Sequence, residues 1–437
     1  MHLRRFFAVF MLFLLFSPVL PYASDSELSL DEAVSLAMEN NLGLKKNQID
    51  LAASGYSEKF LLAEIFPTIN ATASAGVSSA LFTGGGLEFN DSTIRNSVGL
   101  GINFGLNAGI PYSIKNIKLA HQANLLKDED ARKQLSILVT KKFYSLIAEK
   151  NNLILLGEIL NLAQRQYDRN QISFRNGLIR ELVLIQSSVA LENARYDLSA
   201  ASISYSNNLA EFIDMLGIAS DEDINLLGVI NIVKIDADTE ELIKDYLPKR
   251  PDIVRGRQEI ERLLNAEKQL ALQTRAPSIN LSVDWSASKF NPFTDNFSGT
   301  ARLTIPIDPF LPGTARSQAI SRAGDSALKA KLDLTMTEDA AKTQIRSLAS
   351  LLRNSWSSIE IARLSLDVAN RSYQMTDQGF RNGTVESLVL EDARNNMANA
   401  QQRLLQTELS YFNMILDLSA AINMDWKDLI QTYGASR

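Results

Sequence analysis

The sequence predicts a mainly helical protein that carries four amphipathic β-strands and consists of two copies of one unit. Three observations support this fold class. The stretch Phe174-Arg175-Asn176-Gly177 recurs as Phe380-Arg381-Asn382-Gly383, and the flanking residues keep the same offset of 206 positions. Four short stretches alternate between apolar and small polar residues, as half-exposed strands do. Four much longer stretches place apolar residues at the three-four spacing of coiled-coil helices.

The composition excludes several classes of protein. The 437 residues suffice for two or three ordinary domains, and 46% hydrophobic content argues against disorder. The net charge of −6 and the lack of a basic block argue against a nucleic-acid partner. The chain contains no cysteine. We therefore expect no disulfide, no thiolate metal site and no lipid anchor on a cysteine.

The first 24 residues have the pattern of a secretory signal peptide. Arg4 and Arg5 precede an apolar run from position 6 to 16, and small residues Ala23 and Ser24 follow. We place the start of the mature chain near Asp25. A retained N-terminal anchor is the alternative, but the apolar run is too short to span a bilayer.

The four predicted strands come in pairs, and each pair follows a helix that ends before a proline, Pro67 or Pro277. One face of each strand is apolar, and the other carries small polar residues. Asp284 and Arg302 belong to the polar faces. A membrane barrel would turn these faces inward, whereas a soluble hairpin would alternate in the same way. The strands are expected at about 68–80, 95–109, 278–289 and 296–306.

Each strand pair is followed by a long helical hairpin. The outgoing helices are expected at 112–174 and 314–380, each about 95–100 Å long at 1.5 Å per residue. Asn-Gly at each tip, 174–178 and 380–384, predicts a tight reversal because both residues tolerate positive φ. A joint that contains Asp221, Glu222 and Asp223 links the copies. We expect one repeat over 25–228 and the other over 229–437.

Four strands are too few for a membrane barrel, which needs about eight or more. An open sheet edge is not tolerated in lipid, so several chains would share one barrel. A dimer would supply eight strands, a trimer twelve and a tetramer sixteen. A barrel joined to a tube of helices would be a conduit across an outer membrane and much of the periplasm. The alternative function is a structural coiled-coil spacer of the cell envelope, in which the strands form a soluble sheet.

The mature chain resembles the TolC family of outer-membrane efflux proteins over nearly its whole length. The opening segment Leu28-Ser-Leu-Asp-Glu-Ala-Val-Ser-Leu-Ala-Met-Glu-Asn-Asn41 looks like the first helix of the family. Arg250-Pro-Asp252 and Ala276-Pro-Ser-Ile-Asn-Leu-Ser282 look like the start of its second repeat. The order of strand, strand and long hairpin and the two Gly-containing tips also match.

This resemblance implies a homotrimer with a twelve-stranded barrel and a helical periplasmic tunnel. It also implies a periplasmic adaptor and an inner-membrane transporter of the RND, ABC or MFS type as partners. Together they would form a tripartite efflux pump or a type I secretion system. The tips would contact the adaptor. The tip residues carried over from the family are Asn176, Gly177, Leu178, Asn382, Gly383 and Thr384.

The resemblance further implies a narrow periplasmic entrance lined by acidic residues after the second tip. Asp392 falls on one such position, and Gln186 holds the equivalent place in the first hairpin. Val389 stands where related proteins can carry a second aspartate. Phe380 and Val385 replace a tyrosine and an arginine that latch the entrance in the best-known pattern. We therefore expect Asp392, alone or together with Gln186, to form the aperture, and the residues of that latch are replaced.

No motif predicts catalysis, a cofactor or a metal site. His121 is the only histidine outside the signal segment, and we expect it to stand alone on a helix. Glu391 is expected to be a surface residue. No motif identifies the transported substrate. In such systems the inner-membrane transporter, which is a separate chain, sets most of that choice.

Overall fold

The computed structural model describes residues 26–78, 93–218, 224–290 and 293–435. The fold is mainly helical, as predicted. The predicted signal segment, the acidic group at 221–223 and the expected end of the first strand at 79–80 lie outside the described residues. The helices, in chain order, are α1 Leu30–Asn40, α2 Leu42–Lys59, α3 Ile110–Arg175, α4 Glu181–Leu216, α5 Thr239–Tyr246, α6 Pro251–Arg275, α7 Ala315–Arg381, α8 Ser387–Ile422 and α9 Trp426–Tyr433. The strands are β1 Ser26–Leu28, β2 Thr68–Ser78, β3 Thr93–Leu106, β4 Ile224–Leu226, β5 Ser278–Phe290 and β6 Phe293–Thr304.

The long outgoing helices α3 and α7 contain 66 and 67 residues without a break. The return helices α4 and α8 contain 36 residues each. Helix α3 begins two residues earlier than predicted and includes Pro111, which fits the first turn because its missing N–H has no helical partner there. A break at Asn41 separates α1 from α2. Ser29 caps α1, and its backbone N–H donates to Glu32 in return, which completes a capping box.

Strands β2, β3, β5 and β6 form one antiparallel sheet in that order, so the strands of the two repeats join through β3 and β5. The register aligns the apolar residues of all four strands on one face. Leu100 lies opposite both Ala71 and Trp285, and Trp285 lies opposite Phe297. The polar face brings together Gly101 and Asp284. The predicted alternation is therefore confirmed, although β6 begins at position 293 rather than near 296.

The described chain divides into two compact units. One unit consists of the segment ending at Asn41 together with Leu135–Ile232 and Ser355–Asn413. Its core lies where β1 pairs in parallel with β4, beside the middle of α3 and the C-terminal end of α4. Leu226, Phe143 and Phe212 are among its buried side chains. The β1–β4 pair was not predicted, because two strands of three residues are too short to show a period.

The other unit consists of Leu42–Gln134, Val233–Asn354 and the segment from Met414. It contains the four-stranded sheet and helices α2 and α6. The Asn265 side chain is buried and donates to the carbonyl oxygen of Tyr112 and to Asn116 Oδ1, at 2.7 and 2.8 Å. These bonds fix α6 against α3 just beyond the sheet. Within the described residues, no helix combines the length and apolarity that crossing a lipid bilayer requires.

Candidate functional site at the hairpin tips and the adjoining helices

The two hairpin tips have the same backbone structure. Gly177 and Gly383 adopt φ of +72° and +74°. The N–H of Leu178 donates to the carbonyl of Ser173 at 2.8 Å, and that of Thr384 donates to the carbonyl of Gly379 at 2.9 Å. A second bond runs from each glycine N–H to the phenylalanine three residues earlier. Each outgoing helix thus ends in a Schellman motif, which needs a left-handed residue just past the helix.

The predicted reversals are present, and only the glycine of each Asn-Gly pair takes the left-handed conformation. The N–H of Asn176 donates to the carbonyl of Ile172 at 3.1 Å, and Asn382 donates to Gln378 in the same way. Each asparagine therefore continues the helical bonding, and only the glycine that follows has positive φ. The sequence could not separate the two, because Asn and Gly both favour this conformation.

Two large apolar side chains of the first tip are exposed, Leu178 at 74% and Phe174 at 38%. The counterpart of Leu178, Thr384, is also exposed, but its hydroxyl donates to the Gly379 carbonyl at 3.0 Å. A Cβ added to Gly177 or Gly383 would meet no atom within 4 Å. The glycines are needed for their backbone conformation and not because a neighbour crowds them.

The expected aperture residues occupy equivalent places on the return helices. Gln186 lies in the second turn of α4 and Asp392 in the second turn of α8, and both are exposed. Among the residues that the structure describes, neither side chain has a hydrogen bond or an ion pair. The structure does not bring these two side chains together within one chain.

A charged groove lies on the side of α8 that carries Leu390 and Arg394, away from the exposed Asp392. It has a volume of about 280 Å³ and runs between α3, α7 and α8. Leu162 and Leu390 supply its apolar wall, and Tyr373 also lines it. Its charged side chains are Arg165, Arg169, Asp377, Arg381, Glu391 and Arg394.

Arg394 is the buried member of this group, with a relative exposure of 8%. Burial lowers the pKa of its guanidinium, while Glu391 and Tyr373 act in the opposite direction and Arg169 adds to the lowering. In the described chain, Arg394 Nε is fully enclosed and has no hydrogen-bond acceptor. A guanidinium in this situation is costly, because burial removes water and no acceptor replaces it.

Glu391 and Arg394 correct the sequence analysis. Glu391 was expected at the surface, but it is half-buried and lines the groove with Arg394. Arg394 was not identified at all. A comparison of the two repeats could have identified both residues, because Ile185 and Ser188 occupy the equivalent places in the first repeat. The second hairpin thus carries an acid and a base where the first has an apolar and a small residue, and of the two charged residues Arg394 is buried and Glu391 half-buried.

His121 does not stand alone, contrary to the prediction. Its Nδ1 lies 3.0 Å from the Ser54 hydroxyl, and its Nε2 lies 3.3 Å from Glu58 Oε2. The Ser54 hydroxyl also donates to the Leu51 carbonyl at 2.8 Å. These contacts join α2 to α3. The hydroxyl is thereby engaged as a structural link and is not held ready as a nucleophile.

The Arg250-Pro-Asp252 motif is a structural clamp at the start of α6. Arg250 donates to both Asp252 oxygens, at 3.0 and 2.7 Å. It also donates to the Gln344 side chain on α7 and to the Ala421 carbonyl on α8, each at 3.1 Å. The sequence marked this motif by resemblance, and the structure gives its physical role.

The model of the outer membrane efflux protein family matches residues 33–218 and 242–424 of this chain. A probable efflux pump outer membrane protein, TtgC of Pseudomonas putida, is 23% identical over 421 residues, which cover 91% of this chain and 83% of the relative. The antibiotic efflux pump outer membrane protein ArpC of Pseudomonas putida matches with the same identity and coverage.

Solved structures of outer membrane channels share the fold. CmeC of Campylobacter jejuni superposes with a TM-score of 0.75 at 18% identity, over 92% of this chain and 88% of that one. The open state of MtrE from Neisseria gonorrhoeae gives 0.72 at 16% identity, over 90% and 89%. The family model matches both repeats, and that match favours an outer membrane efflux protein over a coiled-coil spacer. The chain belongs to the outer membrane efflux protein family, as its resemblance to the TolC family implied.

Proposed function

We propose that three copies of this chain form the outer-membrane exit duct of a tripartite efflux pump. The observation that carries this proposal is the four-stranded sheet. Its apolar face is exposed along the strands, with Ile69 and Phe297 both 73% exposed. Its outer strands β2 and β6 each have one unpaired edge within the described residues.

The apolar face of such a sheet is unfavourable in water, and its unpaired edges are unfavourable in lipid. In lipid, each unpaired N–H or C=O group costs several kcal/mol, so edges must be closed by further strands. The β6 edge of one copy pairs with the β2 edge of the next in our proposal. The polar face, with Asp284 and Arg302, then lines the duct. Three copies give twelve strands, the number that the TolC family resemblance implies.

The hairpin tips are the proposed contact with a periplasmic adaptor. The shared Schellman turns present Asn176, Gly177 and Leu178 from one hairpin and Asn382, Gly383 and Thr384 from the other. An adaptor and an inner-membrane transporter would complete the pump. The related TtgC and ArpC are named as efflux pump proteins, which favours efflux over type I secretion.

Asp392, with Gln186, is the proposed aperture at the periplasmic entrance. Both side chains are exposed and unpaired in the described chain, so they are available to face the tunnel of an assembled trimer. We further propose export by a cleaved signal peptide over residues 1–24, location in a Gram-negative outer membrane, and transport without catalysis or a cofactor.

Disulfide trapping can test the trimer directly, because the natural chain has no cysteine. Cysteines would be placed singly along β2 and β6, combined in pairs, and oxidised in isolated outer membranes. We expect crosslinked dimers and trimers for a set of pairs in one register. The purified protein should also form ion-conducting pores in planar bilayers. Recovery of the chain as a soluble periplasmic monomer that forms no crosslinks would overturn the proposal.

A further inference from the structure

We propose that the groove between α3, α7 and α8 is a binding site for a carboxylate or phosphate group, with Arg394 as its main ligand. The groove lies within one hairpin-bearing unit of the chain and on the opposite side of α8 from the exposed Asp392. It is therefore separate from the proposed aperture.

The first support is the imbalance of charge. Four arginines line the groove, from all three helices, against two carboxylates. Arg381 pairs with Asp377 at 2.6 Å, one turn earlier on the same helix. Arg169 is hydrogen-bonded to the neutral Gln166, also at 2.6 Å. Glu391 is thus the one remaining acid among these lining residues, and the groove keeps an excess of positive charge.

The second support is the buried, unsatisfied Arg394. Its Nε is enclosed and without an acceptor in the described residues, although a guanidinium has five N–H donors in a planar fork. Both burial and the nearby Arg169 disfavour its charge and lower its pKa. An anion would supply the missing acceptor and offset both effects. Carboxylate and phosphate oxygens match the spacing of the guanidinium donors.

The third support is the space available. The groove holds about 280 Å³, and a neighbouring cavity of about 340 Å³ is also lined by Glu391 and Arg394. Arg394 therefore lies where two cavities meet. The volume suits a small di- or tricarboxylate, inorganic phosphate or an acidic side chain. Tyr373 adds a hydroxyl at the edge of the groove.

A bound anion would connect the two hairpins. Arg169 belongs to α3 of the first hairpin, whereas Arg381 and Arg394 belong to the second. Without an anion these like charges repel across the groove, and with one they share a common counter-charge. Anion binding should hold the hairpins together and favour a closed entrance. This consequence rests on the proposed channel function, whereas the binding site itself does not.

Calorimetric titration of the detergent-solubilised full chain tests the site. Citrate and inorganic phosphate serve as separate probes at fixed ionic strength in chloride buffer. Saturable binding of citrate but not of phosphate would identify a carboxylate site. Saturable binding of phosphate but not of citrate would identify a phosphate site. We expect Arg394→Gln to weaken binding about tenfold or more, since a charged hydrogen-bonded pair is lost. Arg169→Gln should weaken it less and provides a second variant if the first fails to fold.

Arg371→Gln is the matched control. It removes the same charge from α7, but Arg371 is exposed and paired with Asp367 at 2.9 Å. The affinity of the Arg371→Gln variant for citrate or phosphate should equal that of the natural chain. Absence of saturable binding of either probe, or equal weakening by Arg371→Gln, would overturn the site.

Planar-bilayer recordings then test the consequence. Citrate or phosphate should lower the open probability of the natural chain and leave Arg394→Gln unaffected. If the anion binds by calorimetry but leaves the conductance unchanged, closure by the anion is wrong. If the natural chain forms no pore at all, the channel proposal fails while the calorimetric result stands by itself.

Discussion

Gly99 of β3 approaches the main chain of Trp285 on β5 so closely that a Cβ at Gly99 would lie 3.1 Å from the Trp285 carbonyl oxygen. The same Cβ would lie 3.0 Å from Thr72 Oγ1 on β2. Gly105, farther along β3, has no atom within 4 Å of the equivalent position. A side chain would therefore be crowded at Gly99 and would have free space at Gly105.

We predict that Gly99→Val lowers the unfolding temperature of the detergent-solubilised protein by several degrees. The added side chain must displace strand backbone on one side and a threonine on the other, and such overpacking costs about 1–3 kcal/mol. Circular dichroism during heating measures the effect. Gly105→Val should behave like the natural chain, and equal destabilisation by the two variants would contradict the crowding at Gly99.

Replacing the tip glycines with alanine should loosen the hairpin tips without changing the rest of the chain. Gly177→Ala and Gly383→Ala each place a side chain in the left-handed region, at a cost of about 1–2 kcal/mol. Hydrogen exchange by mass spectrometry should show faster exchange at the Leu178 and Thr384 amides. Gly157→Ala, inside α3 and with no atom within 4 Å of its Cβ, should slow local exchange instead, because alanine favours helix.

The clamp at Asp252 should make stability depend on pH. Burial by itself raises the pKa of Asp252, but the hydrogen bonds and charge of Arg250, together with the Ile253 N–H, outweigh it and lower the pKa below its ordinary 3.8. A lowered pKa means that the ionised carboxylate stabilises the fold. This stabilisation is complete above the unfolded pKa and is lost as the pH falls through the folded one.

Asp252→Asn should therefore lower the unfolding temperature at pH 7, by an amount equivalent to about 1–2 kcal/mol for a partly exposed charged pair. The difference from the natural chain should shrink as the pH falls below about 4. Melting curves across pH measure it. Asp308→Asn, which breaks an exposed pair with Arg316, should change little, and a difference that grows at low pH would contradict the clamp.

Asp392→Asn should raise the single-channel conductance and reduce cation selectivity, because it removes a negative charge from each copy at the proposed aperture. The reciprocal change Gln186→Asp adds a carboxylate at the equivalent place of the first hairpin. It should lower the conductance and increase cation selectivity. Planar-bilayer recordings measure both, and unchanged values for both variants would remove these residues from the aperture.

Leu178→Asp should abolish efflux while the trimer still forms. The side chain is exposed, and the turn depends on its backbone N–H, so a charge here disturbs a docking surface and not the fold. Drug susceptibility of cells measures export, and crosslinking measures the trimer. Leu178→Met keeps the apolar surface and should export normally. Full export by the aspartate variant would show that this tip does not dock.

Much of the fold was predictable because its signals are local and repeated. The period of two in the strands assigned Leu100 and Asp284 to opposite faces, and the sheet register confirms both. The offset of 206 located both tips. The predictions that were wrong concern contacts between residues that are far apart in the sequence. His121 meets Ser54 and Glu58 from another helix, and no short-range pattern around position 121 indicates these contacts.

By itself, the sequence determined the duplication, the two faces of each strand and the glycine turns, since each depends on neighbouring residues and their period. Only the tertiary structure decided which side chains meet between helices. Arg169 and Arg394 are more than 200 residues apart, and their presence on one groove depends on how α3 and α8 are rotated about their axes. Helical period gives the faces of each helix but not the partner of each face, so the charged groove appears only after the helices have packed.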